Sequence, residues 1–279
     1  MAWIPRGIRE GIVTSCYPRE ADGYGPEFRG SIEVSESSAT TSDLVDALRV
    51  CPTGAISLRD GKVALDRGAC ILCGRCTQVL PAVFQFSPNF EISTRQRSDQ
   101  VVPVMEESET AIFAVQSELA ARVKSLRRSV HIRHVDAGSD GSEEWEIAAL
   151  TNPVYDVQRL GIYFTASPRH ADVLLVSGAG AVGMIGPLQH TYDVMPHPKV
   201  VIAAGVDAVS GGLLQSSYAT RAGISSSVPV DVFVPGSPPT PFGLLHGILM
   251  AVNLLAPLRT NAVVKHTDRS VNSPRSGDS

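Results

Sequence analysis

The chain has 279 residues, 43% of them hydrophobic and 19% charged, with a formal net charge of −4. That length accommodates two ordinary domains, and the charge balance lacks the basic stripe that nucleic-acid binding requires. The first ten residues are interrupted by Pro5, Arg6 and Arg9 and offer no apolar signal segment. The longest apolar run, Phe242 to Pro257, is too short to span a membrane and is broken by Gly243, His246, Gly247 and Asn253. The cysteines are therefore expected to be reduced, in a cytoplasmic setting.

Taken in chain order, the start is amphipathic, with Trp3, Ile4, Ile8 and Ile12, and suits docking against partner subunits. Ala55–Leu58 and Val63–Leu65 read as short strands around the turn signal Asp60-Gly61. Four cysteines frame this hairpin: Cys51, followed by Pro52, and Cys70, Cys73 and Cys76 in C-I-L-C-G-R-C. The C-x2-C-x2-C spacing with a Cys-Pro elsewhere matches the bacterial ferredoxin pattern, in which the Cys-Pro of one run completes the cluster of the other. We read the four as the ligands of one 4Fe–4S cluster. Positions at ferredoxin spacing before Cys51 are Thr41, Leu44 and Ala47, and Leu80-Pro81 stands where a second Cys-Pro would close the later run. All ligands of one cluster are present and all of the other are absent, as in an eight-iron ferredoxin reduced to four. Four thiolates also suit structural zinc, although the tight run favours a cubane. The fifth cysteine, Cys16, lies outside the pattern and reads as a bystander thiol.

Glu106 to Arg128 has helical periodicity, with Ile112, Val115, Leu119, Val123 and Leu126 on one face, acids at its start and bases at its end. It reads as a connector. From about His131 the pattern alternates strand and helix. Val173–Val176, Val200–Ala204 and Val230–Val234 are short apolar runs, with helices near 180–194 and 241–256, the pattern of a parallel α/β sheet. The expected division is an iron–sulfur ferredoxin-type domain at 1–98, a connecting helix at 99–128, an α/β domain at 129–262 and a disordered tail at 263–279. Gly178-Ala-Gly-Ala-Val-Gly183 forms a G-x-G-x-x-G between a strand and a helix, with Asp207 a late candidate for a ribose acid; this is a weak dinucleotide signal.

Segments spread over the second half carry a family resemblance: R-H-V-D-A-G-S, E-W-E-I-A-A-L, P-V-Y-D-V-Q-R-L-G-I, S-P-R-H-A-D-V-L-L-V-S-G, M-P-H-P-K-V-V-I-A-A-G, V-S-G-G and V-P-V-D-V-F-V-P-G-S-P-P. They resemble the small subunit of group 4 nickel–iron hydrogenases and formate hydrogenlyase, a relative of the 20-kDa subunit of complex I. In the first half, T-S-C-Y-P, F-R-G, C-P-T-G-A-I and C-I-L-C-G-R-C resemble the ferredoxin-type subunit of the same complexes. The chain thus resembles a fusion of two neighbouring subunits, in which a tether raises the effective concentration of each for the other. The implied fold is an α+β ferredoxin-like domain followed by an α/β flavodoxin-like parallel-sheet domain. The implied role is electron transfer within a membrane-associated oxidoreductase complex of the hydrogenase-4, formate hydrogenlyase and complex I kind. A large catalytic subunit and membrane-arm subunits would be its partners. The chain would sit on the inner face of the cell membrane through those partners, with catalytic residues of its own absent. A structural docking subunit with no complete electron relay is the alternative.

The resemblance also implies a second cluster, whose ligand positions here read Asp140, Glu143, Asp207 and Ser237. Their D-x2-E spacing follows the hydrogenase pattern. Three carboxylates and a hydroxyl are hard oxygen ligands, suited to Mg, Ca or Mn rather than a cubane. Buried without a cation, they would need protonation or pairing with Arg133, His134, Arg169 or His170. The plainer reading is a vacated pocket refilled with polar residues that face water or a partner chain.

Overall fold

A computed structural model describes residues 3–20, 22–35, 41–59, 62–103, 117–121, 123, 129–215 and 217–254. Most of the expected connecting helix and all of the expected tail lie outside these residues.

The second half is built on a five-stranded parallel sheet in the order β10-β9-β8-β6-β7. Its strands are β6 (Val130–Asp136), β7 (Ile162–Phe164), β8 (Val173–Ser177), β9 (Val200–Ala204) and β10 (Val232–Val234). β8 and β9 are buried on both faces, which explains their unbroken runs of Val, Leu, Ile and Ala. One sheet face, with Ile132, Leu175, Ile202 and Val234, packs on the apolar helix α7 (Pro241–Ala251) through Leu244, Leu245 and Ile248. Thr240 caps α7 by accepting from the Gly243 N–H at 3.2 Å, and Pro241 occupies the first turn, where its missing N–H costs nothing. The other face, with Leu174, Val176, Val201 and Phe233, packs on Leu188 of α5 (Val182–Val194) and Val209 of α6 (Val206–Ser210). Helix α4 (Ser142–Ala149) follows β6. The strand order reverses between β6 and β8, so loops at the carboxyl ends of these strands diverge and leave a crevice there.

The first half holds α1 (Trp3–Glu10), α2 (Thr41–Val50) and α3 (Arg75–Val79), a hairpin of β2 (Ile56–Arg59) and β3 (Lys62–Asp66) extended by β5 (Val101–Val102), and an antiparallel pair of β1 (Ser31–Val34) with β4 (Phe84–Ser87). Its core contains Ile32, Ile56, Leu65, Val83 and Phe84. Ala47 and Leu80, two of the positions where a second cluster's motif is eroded, belong to this same apolar core.

The two halves share a seam. Thr94 bridges Phe233 on the free edge of β10, with its N–H donating to Phe233 O at 3.0 Å and the Phe233 N–H returning at 2.8 Å. Phe242 of α7 sits among Tyr17, Tyr24, Phe90 and Tyr155, with ring centroids 4.9 to 5.7 Å away. Arg159 donates to Tyr17 O at 2.6 Å, and Arg95 donates to Met250 O at 3.1 Å. Leu119 and Val123 of the connecting segment are buried in the core of the second half.

Candidate functional site

Cys51 follows the C-terminus of α2, Cys70 and Cys73 lie on the loop after β3, and Cys76 is buried in α3. The loop curls because Leu72 (φ 54°) and Gly74 (φ 73°) adopt left-handed backbone on either side of Cys73. A β-carbon on Gly74 would meet the Phe86 ring at 3.0 Å, so glycine serves both the turn and the packing. The four cysteines line one small cavity, walled by Ile32, Ile56, Leu65 and Ile71.

Of the four, Cys76 is buried, Cys51 and Cys70 are half-buried and Cys73 is exposed. The Ala55 N–H donates to Cys51 Sγ at 3.2 Å, and the Thr53 hydroxyl lies 3.6 Å from the same sulfur. Burial pushes the Cys70 thiol up to about 12, and the proximity of Cys76, Cys51 and Cys73 adds to the rise. Burial also raises the Cys76 thiol, with Cys73 and Cys51 contributing. For Cys70 and Cys76, burial favours the neutral thiol, and a bound cation would favour the thiolate. Among the described residues no group of three or more His, Cys, Asp or Glu is placed to hold a metal ion. Cys16 is exposed and takes no part in this cavity.

At the carboxyl ends of β6, β9 and β10 stand Asp140, Glu143, Asp207 and Ser237. The fold brings three of them within electrostatic reach of one another. Glu143 is only 2% exposed and leans its Oε1 toward Gly205, which has room for it only because it lacks a β-carbon. Burial pushes the Glu143 carboxyl up to about 7, and the charges of Asp207 and Asp140 push the same way. Asp207 is raised by burial and by Asp140. Asp140 is held low by the Ser142 hydroxyl and N–H, which donate to its Oδ1 at 2.6 and 2.9 Å. Ser237 is exposed on the loop after β10, tied to the start of α6 by the Val206 N–H donating to Gly236 O at 2.8 Å.

Of the four expected cationic partners, Arg133 lies on β6 with its Nε buried and unpaired, and the other three go elsewhere. Arg169 and His170 precede β8, at the opposite end of the sheet from the carboxylates. His134 Nε2 lies 2.9 Å from Ser177 Oγ, which in turn donates to Glu144 Oε1 at 2.5 Å. Ser139 donates to Glu144 Oε2 at 2.7 Å. This part-buried Ser–His–Glu network ties β6, β8 and α4 together, and nothing in the sequence pattern singled out Glu144 or Ser177. The glycine loop after β8 is likewise filled by protein. A β-carbon on Gly178 would strike Gly138 C and Ser139 N at 2.5 Å, and Gly180 lies against Gly223 O. The glycines let two loops touch, which accounts for them without a dinucleotide.

The five-stranded parallel sheet with helices on both faces defines an α/β domain. Residues 141–251 match the family model described as NADH ubiquinone oxidoreductase, 20 Kd subunit. The chain is 39% identical over 142 residues to formate hydrogenlyase subunit 7 of Escherichia coli (strain K12), covering 51% of this chain and 56% of that one. It is 39% identical over 142 residues to a probable membrane-bound hydrogenase subunit, mbhJ, of Pyrococcus furiosus, covering 85% of that protein. A chain in the structure of a membrane-bound sulfane sulfur reductase, an archaeal respiratory membrane complex, aligns with TM-score 0.42 at 28% identity, over 47% of this chain and 73% of that one. The chain belongs to the family of the 20-kDa NADH ubiquinone oxidoreductase subunit. It spans about half, 56%, of the length of the formate hydrogenlyase subunit. The cysteine cavity lies before the residues that match the family model.

Proposed function

We propose that this protein is an iron–sulfur electron-transfer subunit of a membrane-associated oxidoreductase complex, with a ferredoxin-type N-terminal domain fused to its 20-kDa-type domain. The observation that carries this reading is the meeting of Cys51, Cys70, Cys73 and Cys76 around one apolar cavity. These residues would hold a single 4Fe–4S cluster, which when bound takes up and releases one electron at a time. Ala55 and Thr53 would donate to the Cys51 sulfur, and the apolar wall would keep water from it. Mononuclear zinc fits less well. Four thiolates also suit zinc, and it is the tight C-x2-C-x2-C run that favours a cubane.

The positions Asp140, Glu143, Asp207 and Ser237 do not fit a second cubane. They provide no thiolate, one of them faces solvent, and the buried carboxyl is favoured in its neutral form at acidic pH. The relatives named as hydrogenase and formate hydrogenlyase subunits support a large catalytic subunit and membrane-arm subunits as partners, and a peripheral place on the inner face of the membrane. No helix among the described residues is long and apolar enough to cross a membrane. Ile8 and Ile12, 80% and 93% exposed, suit α1 and its exit as a docking segment for such partners. The carboxylate pocket favours a second reading, a docking subunit with no complete relay, which would be preferred if the large subunit of the same complex lacked its nickel-ligand cysteines.

The test is electron paramagnetic resonance of anaerobically purified, dithionite-reduced protein. One reduced-cluster signal, abolished by Cys73→Ser, is expected; a reduced protein without a signal, or one whose signal survives that change, contradicts the assignment.

A further inference from the structure

A second small cavity lies against the first and shares Ile32 and Cys70 with it. Its wall includes Ser31, Arg67, Leu72 and Gly236. It therefore runs from the cysteine site to the loop that carries Ser237, one of the vacated positions. Two polar groups in its wall have no hydrogen-bond partner. Ser31 is 1% exposed and its Oγ is unpaired, and Arg67 Nε is buried and unpaired.

Arg67 is fixed in this place by its own backbone. Its N–H donates to Gln100 O at 2.9 Å, and its carbonyl accepts from the Cys70 N–H at 3.3 Å. The neighbouring acid, Asp66, is already engaged by Arg97 in a two-pronged pair at 2.7 and 2.6 Å and by the Gly68 N–H at 2.9 Å. The negative groups that act on Arg67 are Glu33, exposed on β1, and the Cys70 sulfur. A guanidinium keeps its charge even when buried, because its deprotonation lies far above any working pH. Arg75 also borders the cysteine cavity, but it is exposed and its charge is screened by water.

Resting on the proposed cluster at the four cysteines, we propose that Arg67 is the residue that sets the cluster's reduction potential, by holding a half-buried positive charge, its Nε fully buried, beside Cys70 on the side that faces the Ser237 loop. Reduction adds one electron, supplied in the test by dithionite, and so adds one negative charge next to this cation. A half-buried charge of opposite sign favours that state, and does so more than a screened surface charge can. Arg67 touches no reacting substrate; it acts through the cysteine site as a positioning charge.

The experiment is a redox titration of the iron-loaded full chain followed by paramagnetic resonance, comparing wild type, Arg67→Met, Arg67→Lys and Arg75→Gln. Arg67→Met is expected to lower the reduction equilibrium at fixed potential at least tenfold, a downward midpoint shift of about 59 mV for a one-electron couple. Arg67→Lys is expected to retain most of the wild-type midpoint, and Arg75→Gln to shift it less than Arg67→Met does. An iron-loaded Arg67→Met protein with an unchanged midpoint overturns the inference and leaves the cluster assignment standing. Absence of iron and signal in the wild type overturns the cluster assignment itself. Should Arg67→Met fail to hold iron, wild-type protein labelled with 15N-arginine decides. A nitrogen coupling to the reduced cluster that persists in Arg75→Gln supports the inference, and its absence overturns it.

Discussion

Glu143 occupies a position that the family resemblance assigns to a thiolate, and its chemistry there is different. Its carboxyl is buried, pushed up to about 7, and faces Asp207 and Asp140. The folded protein therefore holds a proton that the unfolded chain has already released between the ordinary carboxyl range and about pH 7. Stability contributed by this proton is present at low pH and is lost as pH rises through the folded value. Asp207, raised for the same reason, works in the same direction. Between pH 5 and pH 8 the buried His246 and His134, both lowered by burial, work in the opposite direction, so the Glu143 contribution is read as the difference between wild type and Glu143→Gln, on the order of 2 kcal/mol over that range. A pH profile identical in the variant would contradict this placement. At this scale the sequence showed which residues replaced the ligands but not their state. Burial of Glu143 depends on Gly205, more than sixty residues away, and no local pattern encodes that contact. Arg67 was missed for the same reason: an arginine in a turn gives no signal of burial until β1 and the Gly236 loop are packed against it.

At the scale of elements, the loop between β8 and α5 separates two explanations of one motif. A dinucleotide fingerprint uses all three of its glycines for turn, phosphate approach and helix packing. Here Gly178 (φ 83°) meets the backbone of Gly138 and Ser139, whereas a β-carbon on Gly183 would meet nothing within 4 Å. Gly178→Ala is expected to destabilise by at least about 2 kcal/mol through backbone strain and collision. Gly183→Ala is expected to be neutral or to stabilise by up to about 1 kcal/mol. Chemical denaturation of both variants checks the pair, and isothermal calorimetry is expected to show no heat of NADH binding. The apolar runs of β8, β9 and β10 were legible because strands buried on both faces carry no alternation to confuse the period. The hairpin of β2 and β3 was legible from its strand residues flanking Asp60-Gly61. The pairing of β1 with β4 was not. Its partners lie some fifty residues apart, and β1 is only four residues long.

Over the whole molecule, the two halves are joined by more than a tether. Tyr17, 3% exposed, comes from the T-S-C-Y-P segment yet packs in the core of the second half, where its hydroxyl donates to Glu91 at 2.8 Å. Phe242 of α7 closes the aromatic group that spans the seam. The division expected near residue 98 thus has strands of contact on both sides of it, because the segment around Thr94 pairs with β10. Phe242→Ala is expected to cost about 3–5 kcal/mol by opening a cavity at this seam. Denaturant unfolding followed by cluster absorbance and by far-ultraviolet circular dichroism should give coincident transitions in the wild type. Two separated transitions would show halves that fold independently. The seam escaped the sequence because Tyr17, Phe90 and Phe242 are single aromatics in unrelated segments, and only the assembled sheet edge brings them together.

The central claim is that the four cysteines hold one cluster and that the Asp140, Glu143, Asp207 and Ser237 positions hold none. Iron, acid-labile sulfide and zinc per chain, measured on anaerobically purified protein, test it most directly. About four irons and four sulfides with no zinc are predicted. About eight irons would mean that the carboxylate positions still hold a cluster, and zinc alone or no metal would make the protein a scaffold; either result contradicts the account.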